Sequence, residues 1–156
     1  MSSGNGGVAG RNTEILCIDD SAADAELLRS ALTEYPALTV RTVVDGHAAL
    51  SYLRVAGSAP GVPRPDLILL DLHLPTIDGR RVLAEIKADP ALRVIPVIIL
   101  SSSDRHEDLR RAYELGANAC VTKPARLTRY RDVVRAIYDF WCCAAAPAMG
   151  EWSGAP

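Results

Sequence analysis

The chain reads as an α/β protein: a single (βα)5 unit on a five-stranded parallel sheet, doubly wound with helices on both faces. Three observations predict it. Short apolar runs alternate with helix-like segments, the arrangement that yields a parallel sheet with right-handed crossovers. The runs at 13–18, 66–70 and 97–100 are apolar almost throughout, as strands covered on both faces are. The 156 residues, 49% of them hydrophobic, suit one domain with its own core.

The first strand is Thr13–Ile18, TEILCI. Ser21 then caps a helix with Asp24 in its first turn, where the helix dipole favours an acid; Leu28, Leu32 and Tyr35 share one face. The second strand, Leu38–Val44, is LTVRTVV, polar enough for a sheet edge. A short helix from His47 to Val55 follows, then the Pro/Gly-rich surface loop VAGSAPGVPRP at 55–65. The third strand is Asp66–Leu70, and its helix runs from Gly79 to Ala88, stopped near Pro90. After the fourth strand, Val97–Leu100, Asp104 and Glu107 have capping-box spacing, and Gly116 is placed to end that helix. The fifth strand is Ala119–Thr122. The last helix, Leu127 to Cys142, is expected to bury Leu127, Tyr130, Val133, Val134, Ile137, Tyr138 and Trp141, leaving Phe140 out of phase. Residues 1–12 and 144–156, with Trp152, read as flexible tails around a domain at 13–143.

A net charge of -2 without basic clusters speaks against nucleic acid as a partner. No apolar run reaches transmembrane length, and MSSGNGGVAGRN has no signal-peptide core. Of four cysteines, Cys17 and Cys120 sit in strand-like runs as small hydrophobes, and Cys142-Cys143 lack metal-ligand spacing. A reducing, cytoplasmic location fits that usage. His47 and His106 stand at helix starts and read as surface residues.

The chemistry collects where strands end. ILCIDD ends on Asp19-Asp20, LILLD on Asp71, VIILS on Ser101 and ACVTKP on Lys123-Pro124. In an open parallel sheet these ends share one edge, where ligands bind. Three clustered carboxylates repel, and a hard divalent cation such as Mg²⁺ removes that penalty. A carboxylate beside it can accept a phosphoryl group as an aspartyl-phosphate, with Lys123 and Ser101 as partners for the phosphoryl oxygens.

These residues resemble the receiver domain of two-component response regulators. The likeness rests on Asp19-Asp20, Asp71 with Pro75 and Asp78-Gly79, Ser101, Gly116-Ala117 and Lys123-Pro124, and covers about residues 13 to 142. The stretch DLILLDLHLPTIDGRRVLAEIKADPALRVIPVIILSSSD and the ending YDFW are most similar to single-domain regulators partnered with bacterial phytochrome histidine kinases. The resemblance implies a flavodoxin-like fold with strand order 2-1-3-4-5. Asp71 would be the phosphoacceptor. Asp20, Asp19, Asp71 and the backbone carbonyl of His73 would hold Mg²⁺. Ser101 and Lys123 would bind the phosphoryl group, and the Lys123-Pro124 bond would be cis. His73 and Ser103 occupy positions that tune phosphate lifetime, and Cys120 stands where the family often has a switching aromatic.

The implied function is signalling rather than enzyme catalysis: phosphotransfer from a histidine kinase, then protein–protein contacts, with a homodimer through the fourth helix, fifth strand and fifth helix. A flavodoxin-like cofactor binder is disfavoured because IDDSAAD places acids where phosphate would bind. An aspartyl phosphohydrolase would need a general-acid Asp where His73 stands. A docking receiver that is never phosphorylated is the remaining alternative.

Overall fold

The apolar runs form five strands: β1 (Thr13–Ile18), β2 (Leu38–Val43), β3 (Leu67–Leu70), β4 (Val97–Ser101) and β5 (Ala119–Thr122). In this computed structural model, which describes residues 12–145, they pair in parallel in the order β2-β1-β3-β4-β5. Most of both expected tails, with Trp152, lies outside the described residues. Strand alternation divides the core between two faces. Ile68 and Leu70 of β3 pack with Leu16, Ile18, Val97 and Ile99 against α2 (Gly46–Val55), α3 (Gly79–Ala88) and α4 (His106–Glu114). Leu67 and Leu69 pack with Ile15, Cys17, Ile98 and Leu100 against α1 (Ala22–Leu32) and α5 (Leu127–Ile137). A fully buried Leu or Ile contributes about 1.5–3 kcal/mol, so this double burial is what fixes the sheet.

Three helices start on side-chain caps at the same edge of the sheet. Ser21 Oγ accepts the Asp24 N–H at 3.2 Å, Asp45 Oδ1 that of Ala48 at 2.7 Å, and Asp78 Oδ1 that of Arg80 at 2.8 Å. Each is worth about 1 kcal/mol. Gly116 ends α4 at φ 104°, with its N–H on the Tyr113 carbonyl and that of Ala117 on the Ala112 carbonyl. This pair of bonds is the Schellman closure, and the left-handed residue in it favours glycine.

Several expectations are corrected. Asp104 does not cap α4: the N-cap is Arg105, without a side-chain bond, and the turn is organised instead by Ser103, whose Oγ accepts the Arg105 N–H at 3.5 Å. The last helix is not one α-helix to Cys142. α5 ends at Ile137 and a π-helical segment, Tyr138–Ala144, follows. Trp141 and Cys142 of this segment pack against the α1/α5 core while Phe140 is exposed. Leu127 is 48% exposed rather than buried, as are its neighbours through Arg129, and burial on α5 begins at Tyr130. Tyr35 lies beyond α1 but still packs on that core, stacked on Tyr138 at 3.9 Å. No peptide bond among the described residues is cis, so Lys123-Pro124 is trans, the isomer favoured by about 0.5–1 kcal/mol for X–Pro.

Candidate functional site: an acidic sheet edge around Lys123

The register between β1 and β3 pairs Ile18 with Leu70, so Asp19 and Asp71 leave the sheet side by side. Both backbones stay in the ladder: the Asp19 N–H donates to Val43 at 3.0 Å and the Asp71 N–H to Ile18 at 2.9 Å. The buried apolar residues behind them therefore fix where the carboxylates emerge. Both carboxylates are buried, whereas Asp20 is exposed. Lys123 arrives from the end of β5, where its own N–H donates to the Ser101 carbonyl at 2.8 Å.

The Lys123 ammonium donates to three carboxylates: Asp19 Oδ2 at 2.5 Å, Asp24 Oδ2 at 2.8 Å and Asp71 Oδ2 at 2.9 Å. The remaining oxygens of Asp19 and Asp71 are also used. Asp19 Oδ1 accepts the Ser21 N–H and Asp71 Oδ1 the His73 N–H, each at 2.9 Å. Burial works against the ammonium, but the bonds to Asp19, Asp24 and Asp71 outweigh it and hold the Lys123 pKa above its ordinary value. Burial pushes the Asp19 carboxyl up, and the bonds from Lys123 and Ser21 offset that only in part. Three carboxylates meet the single ammonium, and Asp20 adds a fourth acid beside Asp19 and Asp71.

A divalent cation fits this donor set. Carboxylate oxygens of Asp19, Asp20 and Asp71 lie within 4.8 Å of one another. Ligands of one Mg²⁺ are at most about 4.2 Å apart, given its bond lengths of 2.0–2.1 Å, so small side-chain rotations suffice. The donors are hard anionic oxygens, and the local charge is in deficit of cations. His73 meets the site through its amide, with the residue otherwise exposed.

Ser101 is 1% exposed, and its Oγ accepts a long bond, 3.4 Å, from the Ser103 N–H. The Ser103 hydroxyl is committed elsewhere, donating to Asp108 Oδ2 at 2.7 Å. The other oxygen of Asp108 bonds the Arg80 guanidinium, which also pairs with Asp78 at 3.1 Å. The bond from Ser103, helped by Arg80, holds the Asp108 carboxyl below its usual range. Ser103 thus ties the β4–α4 loop to α4 and the start of α3. Cys120 is half-buried, and its N–H donates to the Tyr113 hydroxyl at 3.1 Å. An aromatic side chain does reach this position, but from α4.

The sequence alone marks Asp24 only as a first-turn acid. The available signal was its place one turn into a helix that starts directly after Asp19-Asp20, which returns its side chain to the sheet edge. Arg80 and Asp108, 28 residues apart, gave no local signal.

The comparisons with known proteins agree with this geometry. The family described as "Response regulator receiver domain" matches residues 15–135. The response regulator Rcp1 of Synechocystis sp. is 41% identical over 131 residues, covering 81% of this chain and 87% of that protein. Among solved structures, that of the phosphorylated cyanobacterial phytochrome response regulator RcpA is 43% identical, with a TM-score of 0.82 over 87% of this chain and 98% of its own. The Mn²⁺-bound form of Rcp1 is 39% identical, with a TM-score of 0.80 over 86% of this chain and 98% of its own.

Proposed function

The chain belongs to the response regulator receiver family, and from that premise we propose that Asp71 accepts a phosphoryl group from a histidine kinase, with signalling through protein contacts that follow the modification. The observation that carries this reading is the Lys123 ammonium, shared between the Asp71 carboxylate and two further acids at one sheet edge.

In the proposed step an Asp71 carboxylate oxygen attacks phosphorus. The P–N bond of the kinase phosphohistidine breaks, and its electron pair returns to the imidazole, which keeps or gains a proton from solvent. Lys123, held as an ammonium, faces the transferred group, and the His73 N–H stays on the carboxyl it already bonds. Ser101 supplies a hydroxyl once it turns from its long bond with Ser103. Asp19, Asp20 and Asp71 would hold a divalent cation, with the His73 carbonyl as the further ligand the family resemblance implies, and the cation would supply charge neutralisation for the phosphoryl oxygens. Dephosphorylation needs only water: it attacks phosphorus, the P–O bond to the Asp71 carboxyl breaks, orthophosphate leaves, a proton passes to solvent, and the Asp71 carboxylate is restored.

The similarity to the phytochrome response regulator RcpA supports a phytochrome-type histidine kinase as the donor, and the free cysteines fit a cytoplasmic site of action. No helix among the described residues is long and apolar enough to cross a membrane. The matched region spans nearly the whole RcpA chain, which favours a stand-alone regulator whose output is protein contact. Exposed Tyr113 and Leu127, on either side of edge strand β5, favour self-association through α4, β5 and α5.

Intact-mass measurement after incubation with acetyl phosphate and Mg²⁺ tests the reading. One phosphoryl adduct is expected, absent in Asp71→Asn and after chelation. No adduct with any donor or metal would support the docking receiver instead.

A further inference from the structure

Lys123 has three N–H donors, and carboxylates take all of them. Two of those acceptors, Asp19 and Asp71, also belong with Asp20 to the cluster able to hold a metal ion; Asp24 does not. The ammonium and a divalent cation therefore compete for the same two side chains, and they repel each other. Asp24 offers the ammonium a partner outside that competition.

Its placement suits the role. The Ser21 turn binds both acids: the Ser21 N–H donates to Asp19 Oδ1, and Ser21 Oγ accepts the Asp24 N–H. Asp19 and Asp24 are thus held at a fixed separation by one backbone turn. The Asp24 side chain is 32% exposed, against 7% for Asp19 and 8% for Asp71, so it carries its charge at the lowest desolvation cost of the three.

We infer that Asp24 is a positioning residue for Lys123: it retains the ammonium when a divalent cation draws on Asp19 and Asp71, and so raises the affinity of the site for the cation. The inference rests on the divalent-cation reading of that cluster. Without Asp24, Lys123 would stay on Asp19 and Asp71, and the cation would have to displace it.

The test is a Mn²⁺ titration of the full chain, with free Mn²⁺ read by electron paramagnetic resonance. The variants are Asp24→Asn, Lys123→Met, the double variant and Glu26→Gln. Glu26 removes a charge from the same helix but pairs with Arg29, not Lys123. Asp24→Asn is expected to weaken Mn²⁺ binding about fivefold or more, the lower range of site-to-site coupling. In the Lys123→Met background the same change should cost less than about twofold, and so should Glu26→Gln alone. Wild-type affinity in Asp24→Asn would overturn the inference. So would an equal loss in the Lys123→Met background, or from Glu26→Gln, because a through-space charge effect would then suffice. If Lys123→Met does not fold, the Glu26→Gln comparison decides. If the unaltered chain binds no Mn²⁺, the cation reading itself fails and the inference falls with it.

Discussion

Replacing Lys123 by Met tests the electrostatics of the site at a magnitude the structure sets. The Lys123 side chain is 8% exposed, and two of its partners, Asp19 and Asp71, are 7% and 8% exposed. Breaking a buried pair by removing one partner costs about 3–5 kcal/mol, because the remaining charge stays buried. Asp24 adds little, since at 32% exposure water screens much of its charge. The loss should depend on pH in a definite direction. Asp19 already has a carboxyl pKa raised above 3.8 by burial. A raised group contributes stability that is full below the unfolded value and lost as pH rises through the folded one. Without the ammonium Asp19 should rise further, so the deficit of Lys123→Met should be greatest near pH 7 and shrink toward the carboxylate range. Lys123, also raised, gives the unaltered chain stability that is full below 10.5 and lost as pH climbs through the folded value. Mg²⁺ at a hundredfold excess over its Kd should restore about 2.7 kcal/mol to any form that binds it. Urea unfolding followed by circular dichroism, near neutral and mildly acidic pH, with and without Mg²⁺, reads all of this. A loss below about 1 kcal/mol that ignores pH would refute the claim that Lys123 neutralises buried carboxylates.

Gly79→Ala should be severe, because a Cβ there would lie 2.2 Å from the Asp71 carbonyl oxygen and 2.7 Å from Leu72 Cα, backbone atoms that cannot move aside cheaply. We expect a loss of at least about 3 kcal/mol in urea unfolding, and a change within about 1 kcal/mol would contradict this packing. The buried Cys17 thiol, pushed up to about 12 by burial and then by the Asp19 charge, should resist maleimide at pH 8 in the native chain while exposed Cys143 reacts. Equal labelling of the two, mapped by peptide mass, would show that Cys17 is open to solvent. Ser103→Ala should raise the Asp108 carboxyl toward its ordinary 3.8 in an NMR titration and speed amide exchange over 102–108. An unmoved Asp108 titration would remove Ser103 as the source of that depression.

What could be read from the chain alone was whatever local pattern controls. Asp19 and Asp71 were legible because each ends an apolar run, and strand ends in a parallel sheet share an edge. α2 and α3 begin within a residue of expectation, each directly after the acid that caps it in the structure, Asp45 and Asp78. Spacing misled at Asp104, where a capping-box pattern lost to the Ser103 hydroxyl one residue earlier. The π-helical turn also escaped, since its bond from Ala145 to Phe140 leaves the apolar stripe nearly unchanged. Asp24 escaped for a different reason. Its partner lies 99 residues away, and only the assembled sheet brings the two together.

The measurement that bears most directly on the account is the position of the phosphoryl group. Borohydride reduces an aspartyl phosphate to homoserine, which peptide mass mapping locates. After phosphorylation with Mg²⁺ and acetyl phosphate, homoserine is expected at position 71 and nowhere else. Homoserine at position 19, 20 or 24, or an adduct on a residue other than an acid, would contradict it.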